Sequence, residues 1–322
     1  MKMKTEYYKI DPCRPQPQII RMAAAHIKAG ELVAFPTETV YGLGADAFRA
    51  VAVEKIFAAK GRPANNPLLV HVSDLDQVKQ LAAEVPPAAV KLMERFWPGP
   101  LSMVLPALPS VPEVVRGGRT GVGLRMPSHP VALALIEATG PLAAPSANRY
   151  GRPSPTSAEH VRQDLDGLIA AVLDAGETGA GLESTLIDLT DGRYRILRRG
   201  GIRAELIEEC LGRALESVLT DRSGYQSPIK IVLSETAADL ERRKTETRDK
   251  KTGIVYLGSG EDYEIDPARR QFTLDVAGDG RGLYAIIREA EAAGIEILLF
   301  APFEAGQLDE AWLDRLHRAA NS

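Results

Sequence analysis

The sequence has only two cysteines among its 322 residues, Cys13 and Cys210. They stand too far apart to form a CxxC pair, and the five histidines show no metal-ligand spacing. We therefore expect neither a structural zinc nor a disulfide scaffold. So few cysteines are typical of a protein that works in a reducing compartment, and the cytoplasm is the default expectation.

Long apolar runs are also missing. The first residues, MKMKTEYYKIDP, contain no apolar segment of the kind that a signal peptide has. No stretch approaches the roughly 20 apolar residues that a membrane helix needs. The sequence thus predicts a cytoplasmic protein with no membrane contact.

The chain also lacks an excess of positive charge. Residues 1–217 hold 25 Lys+Arg against 24 Asp+Glu, a net charge of +1. Residues 218–322 hold 14 against 19, a net charge of −5, so the whole chain has a net charge of −4. A general nucleic-acid binder is usually clearly basic. Any contact with RNA would therefore have to be local.

Short β-rich runs alternate with helical patterns along the first two thirds of the chain, which predicts an α/β fold. Predicted strands cover residues 32–35, 68–72, 101–105, 121–126, 170–173, 184–189 and 194–197, and predicted helices cover 19–29, 52–59 and 88–96.

The pattern changes after Leu219. Residues 221–228 are rich in turn formers, and 242–251 are a charge run with no apolar period. Beyond them, strands at 253–257 and 295–300 with helices at 283–293 and 309–319 predict a small βαβα domain. We expect domains over 1–217 and 231–322, joined by a linker over 218–230.

The stretch FPTETVYGLGADAF, residues 35–48, contains a formal match to the G-x-G-x-x-A dinucleotide fingerprint. Residues 36–41 separate this match from the strand that should precede it, and no acidic residue follows at the distance where a ribose would bind. The stretch is therefore not interpreted as a dinucleotide site.

Lys60 and Arg62 leave the end of a predicted helix together, in the run KGRPANNP. The two cations could simply complement the helix dipole on a solvated surface. The strand that follows holds His71 in an otherwise apolar run, and a single histidine in a strand is more often a core residue than a catalyst.

Polar groups are set in a rigid, small-residue backbone at two further places. Alternation in the run GVGLRMP places Arg125 on the face opposite Leu124, beside two glycines that leave room for a ligand. The runs AAPSAN and RPSPT present hydroxyl and amide groups, and Ser146 lacks the GxSxG elbow of a triad nucleophile. Ordered turns with polar caps are the alternative at each place.

Taken together and in order, these motifs resemble those of the YrdC-type threonylcarbamoyl-AMP synthase family. They read FPTETVYGLGADA, K-x-R-P-x-x-N-P-L-x-x-H, F-W-P-G-P-L, R-M-P-x-H-P, A-P-S-A-N with P-S-P-T, G-x-E-S-T and I-L-R-x-G. The resemblance covers roughly residues 10–212. A weaker resemblance to the two-domain members extends over residues 229–322. It implies a YrdC-like open twisted α/β sheet domain followed by a small Rossmann-like βαβα domain.

The resemblance implies an enzyme, a nucleotidyltransferase that makes L-threonylcarbamoyl-AMP from L-threonine, bicarbonate and ATP with Mg2+ and releases pyrophosphate. A separate transferase, a possible partner, would pass the threonylcarbamoyl group to the adenosine beside the tRNA anticodon. Whether this chain contacts tRNA stays open.

The resemblance also implies site residues. The catalytic ones are Lys60, Arg62, Ser146 and Asn148. The ATP-binding ones are Arg62, Asn66, Ser146, Ser154 and Arg198, and the threonine-binding ones are Thr37, Thr39, His71, Arg125 and Ser184, with Arg125 suited to the carboxylate. It identifies no metal ligand.

Two departures from the family pattern stand out. Ser102 replaces a threonine and keeps the hydroxyl. Residues 223–228 are shorter than the linker segment of two-domain relatives and lack its histidine, which puts closure over ATP by this linker in question, although Tyr225 could be its remnant.

Three alternative functions remain at this stage. A carbamoyl-adenylate enzyme of hydrogenase maturation shares the core motifs but also has zinc fingers and an acylphosphatase domain, for which this chain lacks cysteines and length. A non-catalytic module that binds double-stranded RNA through its phosphates is disfavoured by the near-neutral charge. An interaction protein built on the acidic C-terminal domain is the third.

Overall fold

The computed structural model describes residues 4–179, 181–218, 227–258, 266, 268–274, 282–304, 306–308 and 310–320. Their contacts divide into two compact units. The first comprises Met1–Tyr150, Ser154–Thr178 and Glu183–Asp221, and the second Gly151–Pro153, Gly179–Leu182 and Arg222–Ser322. The predicted linker signals at 219–226, Tyr225 among them, lie outside the described residues.

The first unit is built on one mixed sheet of eleven described strands, in the order β1-β8-β2-β3-β7-β4-β6-β5-β9-β10-β11. The strands are β1 Glu6–Lys9, β2 Val33–Phe35, β3 Gly42–Asp46, β4 Leu69–His71, β5 Leu101–Pro106, β6 Gly121–Arg125, β7 Leu142–Ala143, β8 Ala171–Asp174, β9 Thr185–Asp188, β10 Arg195–Arg198 and β11 Glu216–Ser217.

The helices of this unit pack their apolar sides on the sheet. They are α1 Pro17–Lys28, α2 Ala50–Lys60, α3 Leu75–Lys79, α4 Pro87–Phe96, α5 Glu113–Arg116, α6 Pro130–Thr139, α7 Ala158–Leu165 and α8 Ala204–Leu211. Proline occupies a first-turn position in α1, α4 and α6, where its missing N–H costs nothing. Gly61 ends α2 in the left-handed conformation, as the sequence predicts for a helix C-cap.

All seven strands and all three helices predicted for this unit are confirmed, with ends that coincide or differ by one or two residues. Strand β3 was not predicted, because its sequence GLGAD reads as a loop. It pairs antiparallel with β2, which places Gly44 opposite Val33. A side chain at Gly44 has no room, since a Cβ there would lie 2.8 Å from Cε1 of Phe35. The glycines are thus required by the packing of a strand.

The second unit contains a parallel sheet in the order β12-β15-β13-β14. Its elements are β12 Lys230–Leu233, α9 Ala237–Glu246, β13 Thr252–Leu257, β14 Arg270–Leu274, α10 Leu283–Ala292, β15 Ile297–Phe300 and α11 Glu310–Ala320. The predicted βαβα elements are present, and β12, α9 and β14 are additional. Asp309, the predicted first residue of the last helix, lies outside the described residues.

Residues 242–246, the first half of the charge run, lie in helix α9, which the sequence did not predict. Thr236 caps α9 by accepting the N–H of Asp239, and Leu240 is buried. Asp239 pairs with Arg242 at 2.5 Å and with Arg243 at 2.7 Å, three and four residues away. Ion pairs at this spacing support a helix whose single buried leucine gives no apolar period.

Each unit has its own apolar core. The first core joins strand residues such as Val70, Met103 and Leu124 to helix residues such as Ile56 and Leu92. The second joins residues of α10 and α11 to its parallel sheet. No helix within the described part of the chain is long and apolar enough to cross a membrane.

We expect Gly44→Ala to destabilise the first unit by about 1–3 kcal/mol, because buried Phe35 would have to move to admit the added methyl group. Gly179→Ala is the matched control, since no atom lies within 4 Å of the Cβ it would add. Urea unfolding of both variants tests this. Equal midpoints for G44A and the unmodified chain would contradict the packing argument.

Candidate active site

Two neighbouring strands bring His71 and Arg125 together. His71 ends β4, Arg125 ends β6, and the parallel register makes them direct partners. Partners in adjacent strands point to the same face of a sheet. Both side chains are buried, with 3% and 4% of their surfaces exposed. The structure thus joins two of the residues that the sequence assigned to threonine.

The turn between β2 and β3 supplies two further predicted residues. Thr37 Oγ1 donates to the carbonyl of Val40 at 2.6 Å and accepts the backbone N–H groups of Thr39 and Val40. Thr37 therefore holds the shape of the turn. Thr39 Oγ1 accepts a hydrogen bond from Nη1 of Arg125 at 3.0 Å, so Thr39 is the threonine of this turn that contacts the arginine.

Glu38, between these two threonines, was missed by the sequence analysis. Its Oε1 lies 2.8 Å from Nη2 of Arg125. This separation defines an ion pair, yet neither carboxylate oxygen of Glu38 has a hydrogen-bond partner among the described residues, because the angles are unsuitable. Glu38 and Arg125 are thus close enough to attract each other as charges, but no N–H of Arg125 points at a Glu38 oxygen in hydrogen-bond geometry. A carboxylate within a turn that follows a buried strand was the available signal.

The pKa of His71 is lowered well below its ordinary value of 6.5, first by burial and then by the charge of Arg125. The imidazole is therefore neutral near pH 7. Its Nδ1 is buried and has no hydrogen-bond partner among the described residues. Phe35 packs its ring edge-on against the imidazole at a centroid distance of 6.1 Å. His71 thus offers a neutral polar atom rather than a charge.

A second cluster forms where α2 ends. The ammonium of Lys60 donates to the carbonyl of Ser146 at 2.5 Å and to that of Asn148 at 2.5 Å. Lys60 is only 2% exposed. A buried ammonium needs acceptors, and these carbonyls provide them. The structure therefore brings three predicted catalytic residues together, with Lys60 holding the loop that presents Ser146 and Asn148.

The remaining nucleotide candidates lie around this loop. Nη2 of Arg62 donates to the carbonyl of Pro67 at 3.1 Å, and the guanidinium lies 6.0 Å from the ring centroid of Tyr150. Ser154 Oγ donates to Oε1 of Glu183 at 2.8 Å. Within the described ranges, no side-chain hydrogen bond joins Asn66 to another candidate.

Arg198 connects residues that the sequence assigned to different substrates. Its Nε donates to the carbonyl of Ser184 at 3.0 Å and its Nη2 to Ser184 Oγ at 2.9 Å. Ser184 Oγ also lies 2.7 Å from Oγ of Ser102. The hydroxyl at position 102, where the family pattern has threonine, thus contacts the hydroxyl of a candidate site residue.

No group of three or more His, Cys, Asp or Glu residues that could hold a metal ion occurs in the part of the chain that the structure describes. The candidate site residues and their partners are cations, hydroxyls, amides, one neutral imidazole and the carboxylates of Glu38 and Glu183. Such a set suits anionic and zwitterionic ligands, which cations and N–H groups bind through charge-assisted hydrogen bonds.

A comparison with family models matches residues 25–200 to the Sua5_yciO_yrdC model, described as "Telomere recombination". The threonylcarbamoyl-AMP synthase of Pyrococcus abyssi is 43% identical, and the alignment covers 94% of each chain. The synthase of Bacillus subtilis is 39% identical over 99% of this chain and 98% of its own.

A crystal structure of P. abyssi Sua5 complexed with L-threonine superimposes with a TM-score of 0.84 at 38% identity, covering 98% of both chains. This likeness defines the class of protein: a YrdC-like α/β sheet domain followed by a second α/β domain. The chain belongs to the Sua5/YciO/YrdC family, in which its full-length relatives from P. abyssi and B. subtilis are threonylcarbamoyl-AMP synthases.

We expect the free energy of unfolding to fall as the pH drops below about 6.5, because the unfolded chain then binds more protons than the folded one. Burial lowers the pKa of His71 and also that of His129, where the charge of Glu38 opposes the effect. His71→Asn should flatten the profile between pH 6.5 and 5. Denaturant unfolding at a series of pH values measures this, and parallel profiles for the two proteins would contradict it.

Lys60→Met should lower the free energy of unfolding by about 1–3 kcal/mol for each buried carbonyl left without its donor. The exposed Lys91→Met is the matched control, since it removes the same charge from the surface of α4. Urea midpoints at constant slope distinguish the two variants. Equal midpoints for K60M and K91M would show that the ammonium does not hold the loop.

Proposed function

We propose that this protein synthesises L-threonylcarbamoyl-AMP from L-threonine, bicarbonate and ATP. The observation that supports this best is its similarity, over almost the whole chain, to threonylcarbamoyl-AMP synthases. The product supplies the threonylcarbamoyl group for the adenosine beside the tRNA anticodon. The enzyme is a nucleotidyltransferase, because it transfers the adenylyl group of ATP.

The reaction has two steps in this proposal. The α-ammonium group of threonine first loses a proton, and the resulting amine takes up bicarbonate to give a carbamate and water. A carbamate oxygen then attacks the α-phosphorus of ATP, a new P–O bond forms, and the bond to the β-phosphate breaks with its electron pair leaving on pyrophosphate. Both reactants of the second step are anions, so their approach needs fixed positive charge.

The nucleotide end of the site is the cluster around α2 and β10. Arg62 and Arg198 supply the positive charge that the phosphates require, and Asn66, Ser146, Asn148 and Ser154 supply hydrogen bonds. Lys60 acts there by holding the loop 146–148 through its two carbonyl contacts. In this arrangement catalysis is mostly positioning and charge stabilisation, with no covalent intermediate on the enzyme.

The amino-acid end is the cluster around β4 and β6. Arg125 binds the threonine carboxylate, and Thr39 orients the guanidinium through its 3.0 Å hydrogen bond. Thr37 keeps the turn in shape, while His71 and Ser184 present a neutral imidazole and a hydroxyl to the rest of the substrate. Because Arg198 holds Ser184, the two ends are joined by direct hydrogen bonds.

Mg2+ enters this proposal as the counter-ion of ATP. Bound to ATP, it would offset negative charge on the phosphates. We assign no protein ligand to it. Arg62 and Arg198 complement it as fixed cations at the phosphates.

The domain boundaries 1–217 and 231–322 with a linker over 218–230 remain our proposal, as does a handover of product to the tRNA threonylcarbamoyl transferase. The similarity to full-length synthases favours this function over an RNA-binding module and over hydrogenase maturation. A contact with tRNA would require a local basic surface, since residues 1–217 have a net charge of +1.

We expect Arg62→Ala to lower the turnover of threonine- and bicarbonate-dependent pyrophosphate release by about 100-fold to 1,000-fold, the usual effect of removing one donor to a charged transition state. Exposed Arg95→Ala on α4 removes the same side chain away from both clusters and is the control. Pyrophosphate release and the mass of the product are measured with Mg-ATP, L-threonine and bicarbonate.

Pyrophosphate release that does not need threonine or bicarbonate, or no product mass in the unmodified protein, would contradict the proposed function. Full activity in R62A would leave the function intact and remove Arg62 from the nucleotide end.

A further inference from the structure

The side chains around Arg125 leave several hydrogen-bonding groups unsatisfied at one place. Both carboxylate oxygens of Glu38, Nη2 of Arg125 and Nδ1 of His71 are buried and have no hydrogen-bond partner among the described residues. Buried polar atoms in native proteins are nearly always hydrogen-bonded. Four such atoms on three adjacent side chains therefore point to a ligand that provides the missing partners.

These atoms differ in what they need. The Glu38 carboxylate can only accept hydrogen bonds, and the Arg125 guanidinium can only donate them. They are 2.8 Å apart, so they satisfy each other's charge but not each other's hydrogen-bond geometry. Thr39 and the carbonyl of Gly99 occupy other N–H groups of the guanidinium, which leaves Nη2 facing Glu38.

A free α-amino acid matches this pair, because it has an anion and a cation on the same carbon atom. Its carboxylate accepts from Nη2 of Arg125, and its ammonium group has three N–H donors for the oxygens of Glu38. We propose that Glu38 binds the α-ammonium group of the substrate whose carboxylate binds Arg125. This inference rests on the proposed function, since it takes the substrate to be threonine.

The pair then determines specificity in the resting protein. Glu38 neutralises Arg125 until the amino acid replaces each charge with one of its own. A ligand with a carboxylate but no ammonium displaces Glu38 from Arg125 and supplies no hydrogen-bond donor to the Glu38 oxygens. Leaving a buried carboxylate unpaired is costly, so the site rejects such acids. Glu38 is in this sense a residue that excludes the wrong ligand as well as one that holds the right one.

The test compares two ligands on two proteins by isothermal titration calorimetry. The ligands are L-threonine and 3-hydroxybutyrate, which is threonine without its amino group, and the variant is Glu38→Gln. We expect E38Q to weaken threonine binding about 10-fold or more, the usual effect of losing a hydrogen bond to a charged group. It should leave 3-hydroxybutyrate binding unchanged or tighter, because the competing carboxylate is gone.

Glu31→Gln is the matched control. Glu31 also forms an ion pair, with Lys55 at 2.7 Å, and its side chain is 31% exposed against 20% for Glu38. E31Q should bind threonine like the unmodified protein, and E38Q should keep its affinity for ATP. Such a pattern would separate a local effect at the amino-acid end from a loss of folded protein.

Equal threonine affinity in E38Q and the unmodified protein would overturn the inference and leave the proposed function standing. No threonine binding to the unmodified protein would overturn both. If E38Q does not fold, the unmodified protein still decides: equal affinity for threonine and 3-hydroxybutyrate overturns the role of Glu38, and a preference of about 10-fold or more for threonine supports it.

Discussion

The buried ammonium of Lys60 is the interaction on which the geometry of the first unit depends. It fixes the loop 146–148 by donating to two of its carbonyls. That loop pairs in turn with the start of β3, through the bridge between Gly42 and Ser146 and the bond from the N–H of Ala147 to the carbonyl of Tyr41. The turn at residues 36–41 is thereby held between β2 and the loop. Because the buried ammonium of Lys60 needs acceptors, it orders the loop 146–148 and, through that loop, the turn 36–41.

The two proposed ends of the site carry different charges: one has two cations, and the other has a cation paired with a carboxylate. At the proposed nucleotide end, Arg62 donates to the carbonyl of Pro67 and Arg198 to that of Ser184. At the amino-acid end, Arg125 is balanced by Glu38 and lies beside a neutral His71. The first end suits a highly charged anion and the second a small zwitterion. This division fits a reaction that joins an amino acid to a nucleotide.

Sequence reasoning predicted ten elements of the first unit, four of the second and the motif residues, but not the contacts among those residues, nor strands β1, β7 and β11 and helices α3 and α5 to α8. Strand β3 was hidden because its glycines resemble a loop, while the space beside Phe35 permits only glycine. Helix α9 was hidden because ion pairs rather than an apolar face stabilise its surface. Glu38 was overlooked because its ion-pair partner, Arg125, lies 87 positions further along the chain. The carbonyl groups of Ser146 and Asn148 that accept from Lys60 could not be predicted, because they lie 86 and 88 positions further along the chain.

Arg198 has a consequence of a different kind. One rigid guanidinium holds both the backbone and the hydroxyl of Ser184, so the positions of the two residues are not independent. If the phosphates of ATP hold Arg198 in one orientation, they also hold Ser184 in one orientation. Threonine then binds without the entropic cost of ordering the Ser184 hydroxyl, because ATP binding has already met that cost. Thermodynamic reciprocity then requires that threonine strengthen ATP binding by the same factor by which ATP strengthens threonine binding. With Arg198 at the phosphates and Ser184 at the amino acid, as proposed, this shared hydrogen bond would make the two substrates cooperative ligands without any movement of the sheet.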